Sequence, residues 1–417
     1  MATQASTARL AGPDRDQTGD LGYVARLPIL DRNGKAHGYE LLFWNGGASA
    51  ARAESDPGHD AALDAASVFG LEELGCGLPV FVRCSLESLS GEWIQHLTPG
   101  STVLELPTGT EVCPDALSMC RKVKAQGFRL ALNDFSGQPG WWPMVDLADY
   151  IKVDVTQVNA DQRRELFSSL DSCNAHAVAT HVESQEQYSE SCGEGFELFQ
   201  GHYFCRPEPL KNHRIPGNRL VHLEILETLQ NDPVDINRLR QLVMCDADLT
   251  YRLLRYVNSP LFAIRQEVTS IQMALNLVGE ATFRRIAVLA IASDFNADQP
   301  AELLRMAFER ARFCELAGGL CGLNPGEQYL IGMVSLFPAM LRIFMEDLLR
   351  LLPLRTEARD ALLGKQNPEG LLLRWRQCAE YGNWEACDEI VRSAGIDHLQ
   401  VLHCHAEALG WASEALK

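Results

Sequence analysis

The sequence contains no run of about 18 consecutive apolar residues, so it offers no stretch that would cross a bilayer as a helix. No basic-then-apolar pattern opens it, and a cytoplasmic protein is expected. Basic residues are scarce beside acidic ones, 37 against 55, for a formal net charge of −18. That argues against a sequence-independent binder of nucleic acid, whose phosphates require clustered Lys and Arg. None of the 13 cysteines belongs to a CxxC pair, and reduced, mostly buried thiols are expected. No histidine lies between His222 and His398, which removes a His-based metal site from that stretch. The short cluster His403-Cys404-His405 has no partner cluster and reads as helix surface.

What the chain does have is length and core. Its 417 residues, 46% hydrophobic and 22% charged, suit two or three soluble domains that need no disulfide or metal to stabilise them. Residues 1–20 are polar, with Gly12-Pro13, and read as a disordered tail. From residue 21 to 210, strand-like runs alternate with helical stretches such as Asp60 to Leu74 and Ala116 to Gln126. The runs are Tyr23–Leu30, Gly38–Trp44, Pro79–Cys84, Thr102–Leu106, Arg129–Asn133, Tyr150–Asp154, Ala175–Thr180 and Glu197–Gly201. The first two are joined by the turn signal Asp31-Arg-Asn-Gly34, too short for a parallel crossover. An α/β barrel with an antiparallel first strand pair is therefore expected.

After Arg206-Pro207-Glu-Pro209 the pattern becomes helical only, so residues 218–417 read as an all-α bundle behind a linker at Pro207–Gly217. Leu220, Leu223, Leu226 and Leu229 mark one apolar face, and Leu249, Leu253, Leu254 and Val257 a second. Ile271, Ala274, Leu275 and Val278 mark a third, with Thr269 or Ser270 as N-cap, and Asn258-Ser-Pro260 is a helix stop.

Chemistry-bearing residues collect where the strand-like runs end: Glu40, Glu105, Asp134, Asp154, Glu183 and Gln200. A β/α barrel presents its site at that end of its strands. Three neighbouring positions that would supply further metal ligands hold Arg83, Asn133 and Thr180 instead.

These segments carry a resemblance. The opening ARLPILDRNGKAHGYELLF resembles that of an EAL domain, the barrel that hydrolyses cyclic di-GMP. LALNDF, IKVD, ATHVES and FQGHYFCRP resemble that family's DDF, KID, AEGVET and QGYYFSRP segments. MCDADLTYRLLRYVNSPLF and SIQMALNLVGEATFRRIAVLA resemble an HDOD domain, and the combination resembles the bacterial EAL–HDOD signalling proteins over about residues 21 to 380.

The resemblance implies two Mg²⁺ or Mn²⁺ ions held by carboxylates and amide oxygens. On it, Glu40, Glu105, Asp134, Lys152, Asp154, Glu183 and Gln200 are retained positions. Arg83 stands for a metal-binding Asn, Asn133 for the first Asp of DDF, and Thr180 for a Glu. Trp44 stands for a phosphate-contacting Arg, and Leu27 for a frequent Gln. The substitutions remove metal charge and substrate grip, so the retained residues are expected to be remnants satisfied by local pairing, with Arg83 pairing to Glu40 or Glu105. The helical half reads Gly332-Met-Val-Ser-Leu336 where hydrolytic relatives carry a His-Asp pair.

The expectation is a non-enzymatic signalling adaptor with no catalytic residue, no bound cofactor and no metal, Mg²⁺ or Mn²⁺ entering only with residual activity. Its partners would be proteins, met through the helical half and carrying a basic surface, with weak cyclic di-GMP binding and a homodimer left open. Neither nucleic acid polymers nor membranes are expected as partners. A cyclic di-GMP receptor without hydrolysis and a residual cyclic di-GMP phosphodiesterase stay open as alternatives.

Overall fold

The computed structural model describes residues 23–44, 71–109, 112, 114–170, 173–206, 217–229, 235–258, 268–352 and 354–416. The tail, most of the helical stretch at Asp60–Leu74 and the linker at 207–216 lie outside them.

Eight strands close into a barrel in sequence order: β1 (Tyr23–Asp31), β2 (Ala36–Trp44), β3 (Val80–Arg83), β4 (Thr102–Pro107), β5 (Arg129–Asn133), β6 (Tyr150–Asp154), β7 (His176–Thr180) and β8 (Leu198–Gln200). β1 runs antiparallel to both β2 and β8, and every other pairing is parallel. The tight turn explains the inversion. Asp31 accepts the amides of Asn33 and Lys35 on one carboxylate oxygen, and Gly34 takes φ +72° between them.

Short helices cover the barrel: α1 (Leu71–Leu74), α2 (Ala116–Ala125), α3 (Trp142–Val145), α4 (Ala160–Leu170) and α5 (Gln185–Glu194). Inside, Ile29, Phe81, Val103, Ala131, Tyr150, Val178 and Leu198 form one apolar plug. Side chains alternate along a strand, so the residues two positions on share that inward face. They are Arg83, Glu105, Asn133, Lys152, Thr180 and Gln200. A polar layer thus sits directly on the apolar one, at the end where the parallel strands finish.

The second half contains α6 (Gly217–Thr228), α7 (Ile236–Met244), α8 (Ala247–Val257), α9 (Ile271–Val278), α10 (Glu280–Phe295), α11 (Ala301–Leu320), α12 (Pro325–Val334), α13 (Phe337–Leu341), α14 (Met345–Leu351), α15 (Thr356–Leu362), α16 (Pro368–Glu380), α17 (Trp384–Ala394) and α18 (His398–Ala415). Ser270, not Thr269, caps α9. Asn258 ends α8 and ties it to Val268 through both its amide atoms. Leu223, Leu226 and Leu229 are buried as expected, but Leu220 is 45% exposed. Each three-residue step falls short of a full turn by about 60°, so nine residues carry Leu220 roughly 180° from Leu229. α11 and α12 approach closely because Gly332 has no Cβ, which would otherwise sit 2.5 Å from the Arg310 carbonyl.

The hairpin β1–β2 has no crossover helix to cover its outer side, and the second half supplies the cover. Arg26 on β1 pairs with Glu309 of α11, which also takes Arg376 of α16 at 2.6 Å. Arg310 grips Glu380 through two bonds of 2.8 and 2.6 Å. Tyr39 donates its hydroxyl to Glu302 at 2.8 Å, and His405 meets the Val24 carbonyl at 3.1 Å. His405 and Cys404 are therefore buried, contrary to the helix-surface expectation, because that face of α18 turns toward β1.

Candidate functional site

Strand register decides which of the expected residues meet. Lys152 lies buried on β6 between two carboxylates, 2.7 Å from Glu40 Oε2 and 2.8 Å from Glu105 Oε1. Gln200 donates to the same Glu40 oxygen at 2.6 Å, and Arg83 Nη2 lies 3.5 Å from Glu40 Oε1. Residues from β2, β3, β4, β6 and β8 thus converge on one point above the plug. Gln200 holds its place because Gly201 (φ +150°) lets the chain pass Val182, where a Cβ would lie 2.0 Å from the carbonyl oxygen.

The electrostatics follow from this packing. Burial would raise the Glu40 carboxyl, but Lys152 and then Arg83 hold it down at about 2. Burial, and then the charge on Glu40, push Glu105 up. Burial would lower Lys152, yet Glu105 and Glu40 more than offset it and keep it charged. Glu105 Oε2 and the Thr180 hydroxyl are buried without a hydrogen-bond partner among the described residues.

The remaining carboxylates form a rim rather than joining this centre. Asp134 follows β5 in the left-handed region (φ +55°) and accepts from the Asn133 amide at 3.0 Å. Asp154 accepts from the Thr156 amide and hydroxyl at 2.8 and 2.6 Å and lies 3.2 Å from His181. Glu183 accepts from Arg206 at 2.6 Å and lies 3.5 Å from His202. A capping box between Ser184 and Gln187 fixes the Glu183 loop, with the Glu183 amide donating to Gln187 at 2.7 Å. Trp44 ends β2, and its side chain lies outside the described residues.

Sequence reasoning missed the residues that connect this rim to the helical half. The His202 ring lies 3.8 Å, centroid to centroid, from Tyr381 at the end of α16. His202 stood inside the FQGHYF segment as a visible signal, whereas Tyr381 gave none. Also missed was His222 on α6, which lies 2.9 Å from Asp246 and 3.3 Å from Asp294 and joins three helices.

A pair of divalent ions, as the barrel family implies, does not fit this arrangement. Both oxygens of Glu40 and one of Glu105 already meet protein cations or the Gln200 amide. Among the described residues no group of three or more His, Cys, Asp or Glu side chains could hold a metal ion.

Comparison with known proteins gives three kinds of match. The HDOD domain family matches residues 215–345. Two relatives align over nearly the whole chain. The Uncharacterized protein YuxH of Bacillus subtilis is 27% identical over 93% of this chain and 97% of its own. The Cyclic di-GMP phosphodiesterase CdgJ of Vibrio cholerae is 27% identical over 94% of this chain and 92% of its own. The chain joins a closed eight-stranded barrel to a segment that matches the HDOD domain family.

Solved structures similar to this chain cover a little under half of it. A calcium and cyclic di-GMP complex of Klebsiella pneumoniae BlrP1 has a TM-score of 0.38 at 20% identity, covering 45% of this chain and 56% of that one. An EAL domain protein from Listeria monocytogenes has a TM-score of 0.35 at 19% identity, covering 45% and 88%. Among the described residues no helix is long and apolar enough to cross a membrane.

One expectation is corrected by these matches. The substitutions at the strand ends lead to the expectation of no enzymatic activity, yet a relative aligned over 94% of this chain is named a phosphodiesterase. Charge lost at Arg83, Asn133 and Thr180 is not by itself chemistry lost. Five carboxylates, Lys152 and Gln200 nevertheless remain at the mouth, and a count of substituted ligands is no ground for calling it dead.

Proposed function

We propose that the barrel mouth binds cyclic di-GMP and hydrolyses one of its phosphodiester bonds, so that the chain acts as a phosphodiesterase in cyclic di-GMP signalling. The helical half, about residues 218–417, carries the surface that meets partner proteins. The reading is supported by one observation above all, the convergence of Arg83 and Lys152 with Glu40, Glu105 and Gln200 inside a ring formed by Asp134, Asp154 and Glu183.

The roles follow from position and charge. Arg83 keeps 28% of its side chain exposed at the mouth, and a guanidinium matches the geometry of phosphate oxygens. Lys152 lies deeper and holds the carboxylates in place. Glu105, raised in pKa by burial and carrying one unpartnered oxygen, is the group for proton transfer.

The test is chromatography of cyclic di-GMP incubated with the full chain, in Mg²⁺, in Mn²⁺ and in chelator. Linear dinucleotide is the expected product. Glu105→Gln should slow its formation while leaving binding intact, and Arg83→Ala should weaken binding. Because the mouth already contains two cationic side chains, binding itself is expected to survive the chelator. No product under any of the three conditions overturns the reading.

A further inference from the structure

The helical half contains a cavity of about 700 Å³ between α10, α11, the start of α12 and the start of α15. That volume is in the range of pockets that enclose small molecules, roughly 300–1,000 Å³. Its wall combines Arg284, Arg285 and Arg355 with the apolar side chains of Val288, Leu330 and Leu354. Tyr329 also lines it, and its hydroxyl is buried, at 1% exposure for the residue, with no hydrogen-bond partner among the described residues. A buried hydroxyl without a partner costs stability unless something else meets it.

The arginines are paired in a way that permits exchange. Arg284 lies 3.1 Å from Glu280, which is 43% exposed, and Arg355 lies 2.6 Å both from Glu327, which is 40% exposed, and from the buried Glu369. The exposed pairs to Glu280 and Glu327 hold little free energy, so a ligand anion can take the place of either glutamate while Glu369 keeps its hold on Arg355. The inner carboxylate, Glu315, is 2.7 Å from Arg312 and only 3.4 Å from Arg285. It can keep Arg312 and release Arg285. The amides that open α12 are capped by Asn324 and play no part.

We propose that this cavity is a binding site for a phosphorylated ligand of about mononucleotide size. Arg285, Arg284 and Arg355 grip the phosphate in bidentate fashion, the apolar wall takes the ligand's flat body, and the Tyr329 hydroxyl bonds to it. The site is separate from the barrel mouth and stands whether or not the mouth cleaves anything.

Titration calorimetry of the full chain with guanosine 5′-monophosphate tests it, with guanosine and inorganic phosphate as the two half-ligands. An Arg83→Ala background weakens any contribution from the barrel mouth. The monophosphate is expected to bind at least about tenfold more tightly than either half-ligand. Arg285→Ala and Arg355→Ala should each weaken it by about tenfold or more. Tyr329→Phe should weaken it a few-fold while leaving thermal stability unchanged or higher, which separates a ligand contact from a packing role. No binding of the monophosphate, or binding that the arginine variants leave unchanged, overturns the proposal. Equal affinity for inorganic phosphate overturns it too, since the apolar wall then contributes nothing.

Discussion

The barrel mouth and the seam between barrel and helices are both built from buried ion pairs, but they arise differently. At the mouth, Glu40, Glu105, Lys152 and Gln200 are brought together by strand register, and each follows from its place on its own strand. At the seam, Arg26 finds Glu309 across 283 residues and His405 finds Val24 across 381. The mouth is a closed knot around one ammonium. The seam is a chain in which most members keep a second partner. Local geometry therefore concentrates the consequences of a substitution at the mouth, while the seam spreads them.

Lys152→Met should have the largest effect. It leaves Glu40 and Glu105 buried without the ammonium they share, and a loss toward the upper end of about 3–5 kcal/mol is expected in urea denaturation. Adding Glu105→Gln should recover much of that loss. If Lys152→Met is as stable as the parent, charge does not hold the mouth together.

Glu309→Ala strikes the seam. The expected loss falls at the lower end of the same range, about 3 kcal/mol. Arg26 retains the Leu74 carbonyl at 3.1 Å, and Arg376 retains Glu380 at 3.8 Å. A loss equal to that of Lys152→Met would erase the contrast between knot and chain.

Acid probes the seam at His405. Burial lowers its pKa from 6.5 to about 3. Between those values the unfolded chain takes up a proton that the folded chain refuses. The stability contributed is thus full above pH 6.5 and is lost as pH falls toward about 3, by roughly 1 kcal/mol per unit. Thermal unfolding at pH 7.5 and pH 5 should differ less in His405→Gln than in the parent; equal differences would refute the assignment.

The smallest effect is expected at the rim. Arg206→Ala removes a pair whose arginine side chain is 56% exposed, and a change below about 1 kcal/mol should follow.

The same contrast accounts for what could be read from the sequence. Strand ends were legible because alternation and parallel pairing line up Phe81 with Val103, Arg83 with Glu105 and Asp154 with Thr180. The inverted first pair was legible in Asp31-Arg-Asn-Gly34. Illegible were contacts made by docking: Tyr381 on His202, His222 between Asp246 and Asp294, and the burial of His405. No short motif encodes such pairs, since their partners are set by how helices pack and not by spacing. The expectation of no enzymatic activity failed differently. Residue identity at Arg83, Asn133 and Thr180 reports charge, and charge alone does not report activity.

The bare hairpin β1–β2 also has a consequence in time. Arg26 leaves the ribosome long before Glu309, the residue that neutralises it, has been made. At about 5–20 residues per second, the separation of 283 residues takes roughly 15–60 s to synthesise. Through that interval the nascent barrel has a strand pair whose outer wall does not yet exist. The opening strand of the barrel is therefore among the last to be sealed, and that waiting surface is where a chaperone would be needed.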